Sequence, residues 1–192
     1  MKKRLTLALS LGAALILGTT LIRDVMARPT EGAVVSLGGM ESRTPSTWKQ
    51  AETTGQMRAY QFKIPGANGD SSDAELVIFY FGPGGAGTVD SNIARWKGMF
   101  IPPQGKTIDD VTKVDHFKVG DQDVTYLDIS GTYKFKARPF DPNAKEELKP
   151  DHRMEGVVFG SNKGPYFLRL VGPAKTVSQH KKEFDDWLKA FK

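Results

Sequence analysis

The feature that most constrains the fold is the eight-residue run AELVIFYF at residues 74–81. A continuous run of aliphatic, β-branched and aromatic residues of this length is typical of a strand that is buried on both faces. The turn-rich segment PGANGDSSD precedes the run and GPGGAG follows it, so both of its ends are well marked. We therefore predict a buried strand here and interpret the other segments around it.

Five further segments carry strand patterns. Tyr60, Phe62 and Ile64 alternate with other residues, which predicts a half-buried strand. Residues 120–123 and 161–164 have turn compositions and would join neighbouring strands as hairpins. The five segments are residues 57–64, 111–119, 124–135, 153–160 and 165–171. Because strands follow one another as hairpins, we expect a mainly antiparallel sheet of about six strands.

Two helices are expected to pack on this sheet. Thr88 can cap the first, which runs to about residue 100 and stops before Pro102 and Pro103. The second covers residues 176–191 and is the clearest amphipathic segment of the chain. The apolar stripes are Val89, Ile93, Trp96 and Phe100 in the first helix, and Val177, Phe184, Leu188 and Phe191 in the second. The resulting order, β-β-α-β-β-β-β-α, predicts an α+β domain.

The first 27 residues have the pattern of a targeting segment. Lys2, Lys3 and Arg4 precede an apolar run at residues 5–22, and Val25 and Ala27 suit a cleavage site. We predict a signal peptide over residues 1–27 and export to the periplasm or the extracellular space. The alternative is an uncleaved anchor, because 18 apolar residues are just enough to span a bilayer. Membrane contact is expected only through this segment.

A flexible linker is predicted at residues 28–47, where Gly, Ser, Thr and Pro occur throughout. Trp48 would then begin a single folded domain at residues 48–192, which is long enough to bury a core without crosslinks. Residues 136–152 are polar and contain three prolines, so they are expected to form a long loop with one helical turn at 144–148.

Charge and cysteine content exclude several functions. Four of the 27 basic residues and one of the 22 acidic residues lie in the leader, so the remainder carries a formal charge of only +2. No basic face is evident, and we predict no nucleic-acid partner. The chain has no cysteine, which excludes disulfides, a thiol nucleophile and a cysteine-ligated zinc site.

The glycine-rich segment at residues 82–87 admits two interpretations. It matches the glycine spacing of a dinucleotide-binding loop, but the next strand is mixed polar rather than buried and parallel, so no cofactor is predicted. A helix N-terminus beside glycines can still hold an anion, and Gly84, Gly85, Gly87 and Thr88 are the candidate residues. The structural alternative is that the glycines supply the positive φ angles of a tight turn.

Acidic residues and His116 invite a catalytic or metal-site interpretation. The acids Asp109, Asp110, Asp115, Asp121, Asp123 and Asp128 lack the spacing of a calcium-binding loop, and we predict no metal site. Asp115 and His116 are adjacent, so a strand would direct them to opposite faces. A hydrolase using Asp115 or Asp128 with His116, and with Ser130 nearby, stays open as an alternative function. No exposed-serine elbow motif is present, and no catalytic residue is assigned.

The order of elements, with a hairpin and helix first and a strand and helix last, resembles the Mog1/PsbP-like fold. In that group a Trp and an extended F-x-I-P segment often open the domain, and this chain has Trp48 and then Phe62-Lys63-Ile64-Pro65. Residues 164–191 are similar to the closing strand and amphipathic helix of that fold. The strings FYFGPGGAGTVDSNIARWKGMF and VTYLDISGTY also resemble those of uncharacterised exported bacterial proteins.

The resemblance implies an accessory, assembly or binding protein rather than an enzyme. We therefore expect a non-catalytic exported binding or accessory module of the bacterial cell envelope, with another envelope protein or a small ligand as its partner. Contact would use the sheet face, residues 136–152 or the glycine-rich turn. The alternatives are the small hydrolase and an anion-binding protein that uses Gly84, Gly85, Gly87 and Thr88.

Overall fold

The computed structural model describes residues 31–53, 55, 57–67, 69–70, 72–85, 87–137 and 143–192. These residues contain ten strands and two α-helices. The strands are β1 Val34–Leu37, β2 Met40–Arg43, β3 Lys49–Gln50, β4 Arg58–Ile64, β5 Ala74–Tyr80, β6 Phe100–Ile101, β7 Thr112–Val119, β8 Gln122–Lys136, β9 Glu146–Phe159 and β10 Tyr166–Pro173. The helices are α1 Val89–Lys97 and α2 Ala174–Lys189, and a short 3-10 turn, Asp109–Val111, precedes β7.

Eight of these strands form one antiparallel sheet. Its order is β3-β4-β5-β10-β9-β8-β6, and β7 also pairs with β8. The long strand β8 shares one edge between two partners, β7 along its first half and β6 at Tyr133. The protein is therefore α+β with two helices and an antiparallel main sheet, as predicted, but the sheet has eight strands rather than six.

The buried run at residues 74–81 does lie inside the sheet, between β4 and β10. Its alternation divides the sheet into two faces. Leu76 and Ile78 are fully buried on the side of α2, which we call the α2 face. Glu75 and Phe79 point to the other side, the α1 face, and are only half-buried.

The α2 face is closed by α2 and by the β1–β2 hairpin. Val177, Phe184 and Leu188 of α2 are fully buried against the sheet, as their spacing predicted. Trp48 packs against Phe184 at a centroid distance of 6.3 Å, and its indole nitrogen donates to Glu183. This side holds the larger of the two hydrophobic clusters.

The α1 face is covered over only part of its width. Trp96 of α1 packs directly on Gly156 of β9, where a Cβ atom would come within 2.7 Å of the indole ring. That close approach requires a residue without a side chain. Around Trp96 lies the second hydrophobic cluster, formed with Phe100, Leu127, Ile129, Met154, Val158 and Phe167. The part of this face formed by β4 and β5 keeps half-buried side chains.

The prediction of a flexible linker at residues 28–47 is wrong for residues 31–47. They contain the β1–β2 hairpin, whose Val35 and Leu37 are fully buried in the core. Gly38 and Gly39 have φ angles of 64° and 104° and form a two-residue turn that matches the twist of paired strands. Ser42 then donates to the carbonyl of Trp187 at 2.9 Å and holds the hairpin on α2.

The prediction of a loop with a helical turn at residues 136–152 is also wrong for the described residues. β9 begins at Glu146 and pairs with β8, so that Phe135 lies opposite Glu147. Pairing with β8 stabilises a strand in this segment, although its polar composition is typical of a loop. Likewise α1 ends at Lys97 and Phe100 belongs to β6, although Phe100 is buried as expected. Residues 138–142 lie outside the described residues.

The predicted signal peptide at residues 1–27 lies outside the described residues as well. Within the part of the chain that the structure describes, no helix is long and apolar enough to cross a membrane.

Candidate functional site

The open part of the α1 face carries a concentration of arginines. We call the surface formed by Arg58, Glu75, Phe79, Arg95 and Arg169 the arginine face. Register places these residues together: Arg58 of β4 lies opposite Phe79 of β5, and Arg169 of β10 lies opposite Val77, two residues from Phe79. Arg95 reaches the same region from α1. Four separate elements therefore build this surface.

Arg169 occupies the centre of the arginine face. Its guanidinium carbon lies 4.9 Å from the centroid of the Phe79 ring, and one of its nitrogens donates to the sulfur of Met99 at 3.5 Å. The guanidinium of Arg58 lies 5.8 Å from the same ring. Both distances allow a cation–π attraction, which holds the two charges over an aromatic floor.

Three like charges meet on this surface. Burial lowers the pKa of Arg169, and the positive charges of Arg95 and Arg58 lower it further. The Arg169 cation is still the dominant form at neutral pH, because an arginine titrates far above that range. The arrangement therefore concentrates positive charge and makes a neighbouring anion favourable.

The arginines of this face differ from the other described arginines in their partners. Arg43 pairs with Glu31 and Arg153 pairs with Asp128, at 3.3 and 2.5 Å. Within the described ranges Arg58, Arg95 and Arg169 make no ion pair with any carboxylate. Arg58 donates to Gln61 at 2.9 Å and Arg95 donates to Asn92, both of which are neutral. The three guanidinium groups thus lack the partner that they bind best, a carboxylate or phosphate.

One carboxylate does lie on the arginine face. Glu75 accepts a hydrogen bond of 2.6 Å from Gln61, and its charge acts on both Arg169 and Tyr133. Burial raises the pKa of Tyr133, whose hydroxyl makes no hydrogen bond to any described residue. The three arginines of this face therefore have only the carboxylate of Glu75 among them. The hydroxyl of Tyr133 beside them is a hydrogen-bond donor without an acceptor among the described residues.

Aromatic rings border the charged groups. Phe79 and Phe81 stack at a centroid distance of 6.0 Å with nearly parallel planes, and Phe81 meets Phe167 edge-on at 5.8 Å. Tyr80 points to the α2 face and stacks on Tyr166 at 4.6 Å. This arrangement follows from strand alternation, which puts Phe79 and Phe81 on one side and Tyr80 on the other.

The side chains of the arginine face are half-buried, except that of Arg95, which is exposed. Two depressions among the described residues lie elsewhere and are broad and exposed. One, of about 630 Å³, is lined by Gln50, Glu52 and Ala59 among others. The other, of about 420 Å³, is lined by residues that include Phe135 and Lys145. Neither concentrates side chains that could carry out a reaction.

The glycine-rich turn has structural reasons for its glycines. A Cβ atom on Gly85 would lie 1.9 Å from the carbonyl oxygen of Phe81, and Gly87 has a φ angle of 77°. The hydroxyl of Thr88 accepts from the backbone nitrogen of Ser91 at 3.2 Å and caps α1, as predicted. Asp90 in the first turn already places a negative charge at this helix end. An anion site at Gly84, Gly85, Gly87 and Thr88 stays a prediction, and nothing in its surroundings strengthens it.

The residues of the alternative hydrolase are not brought together. His116 is exposed and contacts the hydroxyl of Thr125 at 3.1 Å. Asp115 points to the side of the sheet away from His116. There it neighbours Tyr126 across the strand pair and forms an ion pair with Lys113. Asp128 is held in a two-fold contact by Arg153. Among the described residues, no group of three or more His, Asp or Glu side chains could hold a metal ion.

Among the described residues, Glu155 is a fully buried carboxylate that the sequence analysis missed. Glu155 of β9 is fully buried beneath α2, and Lys181 donates to its Oε2 at 3.1 Å. Burial raises the pKa of Glu155 to about 7, although the charge of Lys181 opposes this. Its Oε1 makes no hydrogen bond to a described residue, and the nearby Nε of Arg153 donates to Asp128 instead.

Glu155 belongs to a network that spans the sheet and α2. Lys181 also donates to the hydroxyl of Tyr126 at 2.7 Å, and Tyr126 donates in turn to Asp185 at 2.8 Å. Arg153 donates to Ser178 of α2 at 2.7 Å. The network joins the two layers from inside, and its cations are paired with carboxylates of the protein itself.

No protein-family model matches the chain, and no curated protein matches its sequence significantly. The chemistry of the described side chains therefore carries the functional proposal. For the arginine face, the sequence signal was strand alternation in residues 74–81, which places Phe79 and Phe81 on one side of their strand. Nothing in the sequence showed that Arg58, Arg95 and Arg169 would meet there.

Proposed function

We propose that this protein is a non-catalytic, exported binding or accessory module of the bacterial cell envelope, and that the arginine face binds its partner. One observation carries the proposal. Both described arginines outside this face pair with carboxylates, whereas the three within it do not. Arginine is suited to planar, two-pronged recognition of a carboxylate or phosphate, so the missing partner is expected to be supplied from outside.

The side chains of the arginine face support binding rather than catalysis. Together with the neighbours Gln61, Phe81 and Tyr133, they comprise guanidinium groups, an amide, aromatic rings and a phenol, groups that recur where proteins recognise partners. The one carboxylate, Glu75, is hydrogen-bonded to Gln61 and has no described histidine or hydroxyl nucleophile as its partner. A binding module explains these groups without adding a reaction.

The order of elements supports a Mog1/PsbP-like fold by analogy. The strands β4 and β5 precede α1, hairpins follow, and β10 leads into α2. Trp48 and Phe62 contribute to the core on the α2 face. Since accessory and binding roles prevail in that group, this fold would agree with the proposed function.

Export is proposed from the first 27 residues alone. Their charged start, apolar run and small residues at Val25 and Ala27 favour a cleaved signal peptide. An anchor would result if cleavage did not occur. The binding function of the arginine face does not depend on which of the two holds.

The proposal can be tested by following the side-chain Nε–Hε signals of arginine by NMR during titration with acetate and with inorganic phosphate. We expect saturable shifts for Arg58, Arg95 and Arg169, because their guanidinium groups have no carboxylate. Arg43 and Arg153 serve as internal controls and should not respond. Equal small shifts at all five arginines, or none at any, would show that this surface is not an anion site.

A further inference from the structure

The shape of the arginine face bears on what kind of ligand it takes. Pockets for small molecules are concave and enclose most of the ligand surface. The side chains of the arginine face are half-buried or exposed, and they line neither of the two depressions of about 630 and 420 Å³. Protein interfaces, in contrast, are broad surfaces on which arginine and aromatic side chains are enriched. An extended segment of a protein therefore fits this surface better than a small free ligand does.

The distribution of charge points in the same direction. Arg58 and Arg169 stand beside one ring, that of Phe79, at 5.8 and 4.9 Å. Arg58 and Arg169 lie on β4 and β10, the two neighbours of β5, whose backbones are about 10 Å apart, so a ligand that pairs with both needs negative charge at more than one point. The half-exposed rings of Phe79 and Phe81 between and beside these charges favour an apolar group in the same ligand.

From these features we infer that the arginine face binds an acidic segment of a partner protein, in which carboxylates flank an aromatic or apolar side chain. This inference rests on the proposed function and names its ligand. In an extended segment, side chains two residues apart lie on one side, about 7 Å from each other. A carboxylate, an aromatic ring and a second carboxylate at alternate positions would then meet Arg58, Phe79 and Arg169.

An anionic membrane is the competing occupant, and the surface suits it less. Glu75 lies on the arginine face, and Asp90 lies exposed at the start of the neighbouring α1. Both carboxylates would be pressed against a layer of like charge. A single segment can instead place its carboxylates on the arginines and keep clear of Glu75 and Asp90.

The test uses the complete protein and the capped peptide Ala-Glu-Ala-Phe-Ala-Glu-Ala as the probe, with binding measured by calorimetry and by the arginine NMR signals. Two matched peptides carry Gln for Glu, or Ala for Phe. We expect the probe to bind at least about tenfold more tightly than either, since charge-assisted hydrogen bonds and aromatic contacts are each removed in turn. Inorganic phosphate and vesicles containing one-third phosphatidylglycerol are measured in parallel.

Protein variants locate the binding. Arg169→Gln and, separately, the less buried Arg58→Gln should each weaken the probe by about tenfold, whereas Arg43→Gln should not change it. If Arg169→Gln fails to fold, the affinity of Arg58→Gln for the probe still shows whether the peptide binds to the arginine face. Phosphate or vesicles binding as tightly as the probe would overturn the acidic segment but leave an anion-binding face. If no anion moves the signals of Arg58, Arg95 and Arg169, both this inference and the proposed function are wrong.

Discussion

The two faces of the main sheet both carry buried or half-buried charges, but they compensate them differently. On the α2 face, Arg153 and Lys181 stand among the carboxylates of Asp128, Glu155 and Asp185, all within contact distance. On the arginine face, Arg58, Arg95 and Arg169 share only Glu75. The cations of the α2 face pair with carboxylates of the protein itself and connect the sheet to α2. The arginines of the arginine face remain available to an anionic group of a binding partner.

This difference separates charges that support the fold from charges that are available for binding. Two cations face three carboxylates on the α2 face, so one negative charge is in excess when all are ionised. Because its pKa is raised to about 7, Glu155 can take up a proton and remove that excess. The arginine face has no such adjustment, because arginine keeps its proton throughout the physiological range.

The largest expected effect is the contrast between two arginine substitutions. Arg153→Met should lower the free energy of unfolding by about 3 kcal/mol, because Asp128 loses its two-fold partner and Lys181 alone then faces three carboxylates. Arg169→Met should leave stability unchanged or raise it by about 1 kcal/mol, because it removes an unpaired, half-buried charge. Urea unfolding at pH 7.5 measures both. A loss of stability in Arg169→Met as large as that in Arg153→Met would remove the distinction between the faces.

The pH dependence of stability tests the α2 face next. The pKa of Glu155 is raised in the folded state from 4.5 to about 7, so the folded protein binds the proton more tightly than the unfolded chain does. Stability from this group is therefore fully present below pH 4.5 and is lost as the pH rises through 7, by up to about 3 kcal/mol. Unfolding by urea at several pH values between 4.5 and 8 should show this fall.

The matched variant for the pH experiment is Glu155→Gln, which keeps the shape and removes the titration. The fall in stability between pH 4.5 and 8 should disappear in this variant. If the wild type and the variant keep the same slope, Glu155 is not the group that titrates.

A smaller effect is expected from the cation that faces Glu155. Lys181→Met should cost about 2 kcal/mol at pH 8, less than the loss of Arg153, because Glu155 can respond by holding its proton to higher pH. Lys182→Met is the control, since Lys182 pairs with Asp186 on the exposed side of α2. Equal stabilities of the two variants would mean that the buried network adds nothing beyond a surface pair.

The smallest expected effect is that of salt concentration on stability, and it tests the arginine face. Repulsion among Arg58, Arg95 and Arg169 weakens as ions screen it. The stability difference between the wild type and Arg169→Met should therefore shift in favour of the wild type by a few tenths of a kcal/mol between 0.02 and 0.5 M NaCl. Arg43→Met, which breaks an exposed pair, should shift in the opposite direction. An unchanged difference for Arg169→Met would indicate that the three charges do not interact.

Local patterns predicted much of the fold, because alternation and helical spacing are properties of single segments. All six predicted strands and both helices occur, and Val177, Phe184 and Leu188 lie in the core as expected. The β1–β2 hairpin was missed although Val35 and Leu37 alternate directly before a glycine turn, since four-residue strands give a weak signal within a polar segment. The extension of β9 to Glu146 was missed because it depends on pairing with β8.

The candidate sites were harder to predict than the fold. Alternation in residues 153–160 does place Glu155 on the same side as Val157 and Phe159, so a buried carboxylate could have been expected there. Its partner Lys181 comes from a helix whose polar face gives no hint of this contact. For Arg169, the decisive fact is how far α1 extends over the sheet, and no property of β10 alone determines that.

The early position of the β1–β2 hairpin in the sequence also affects the time course of folding. Ser42 contacts Trp187 across 145 residues, and Trp48 contacts Glu183 across 135. A chain that emerges with its N-terminus first would expose Val35 and Leu37 until α2 had also emerged. Contacts of this separation slow folding, since a long loop must close before they form. The interval would give a chaperone the opportunity to bind the first two strands, and α2 would release them.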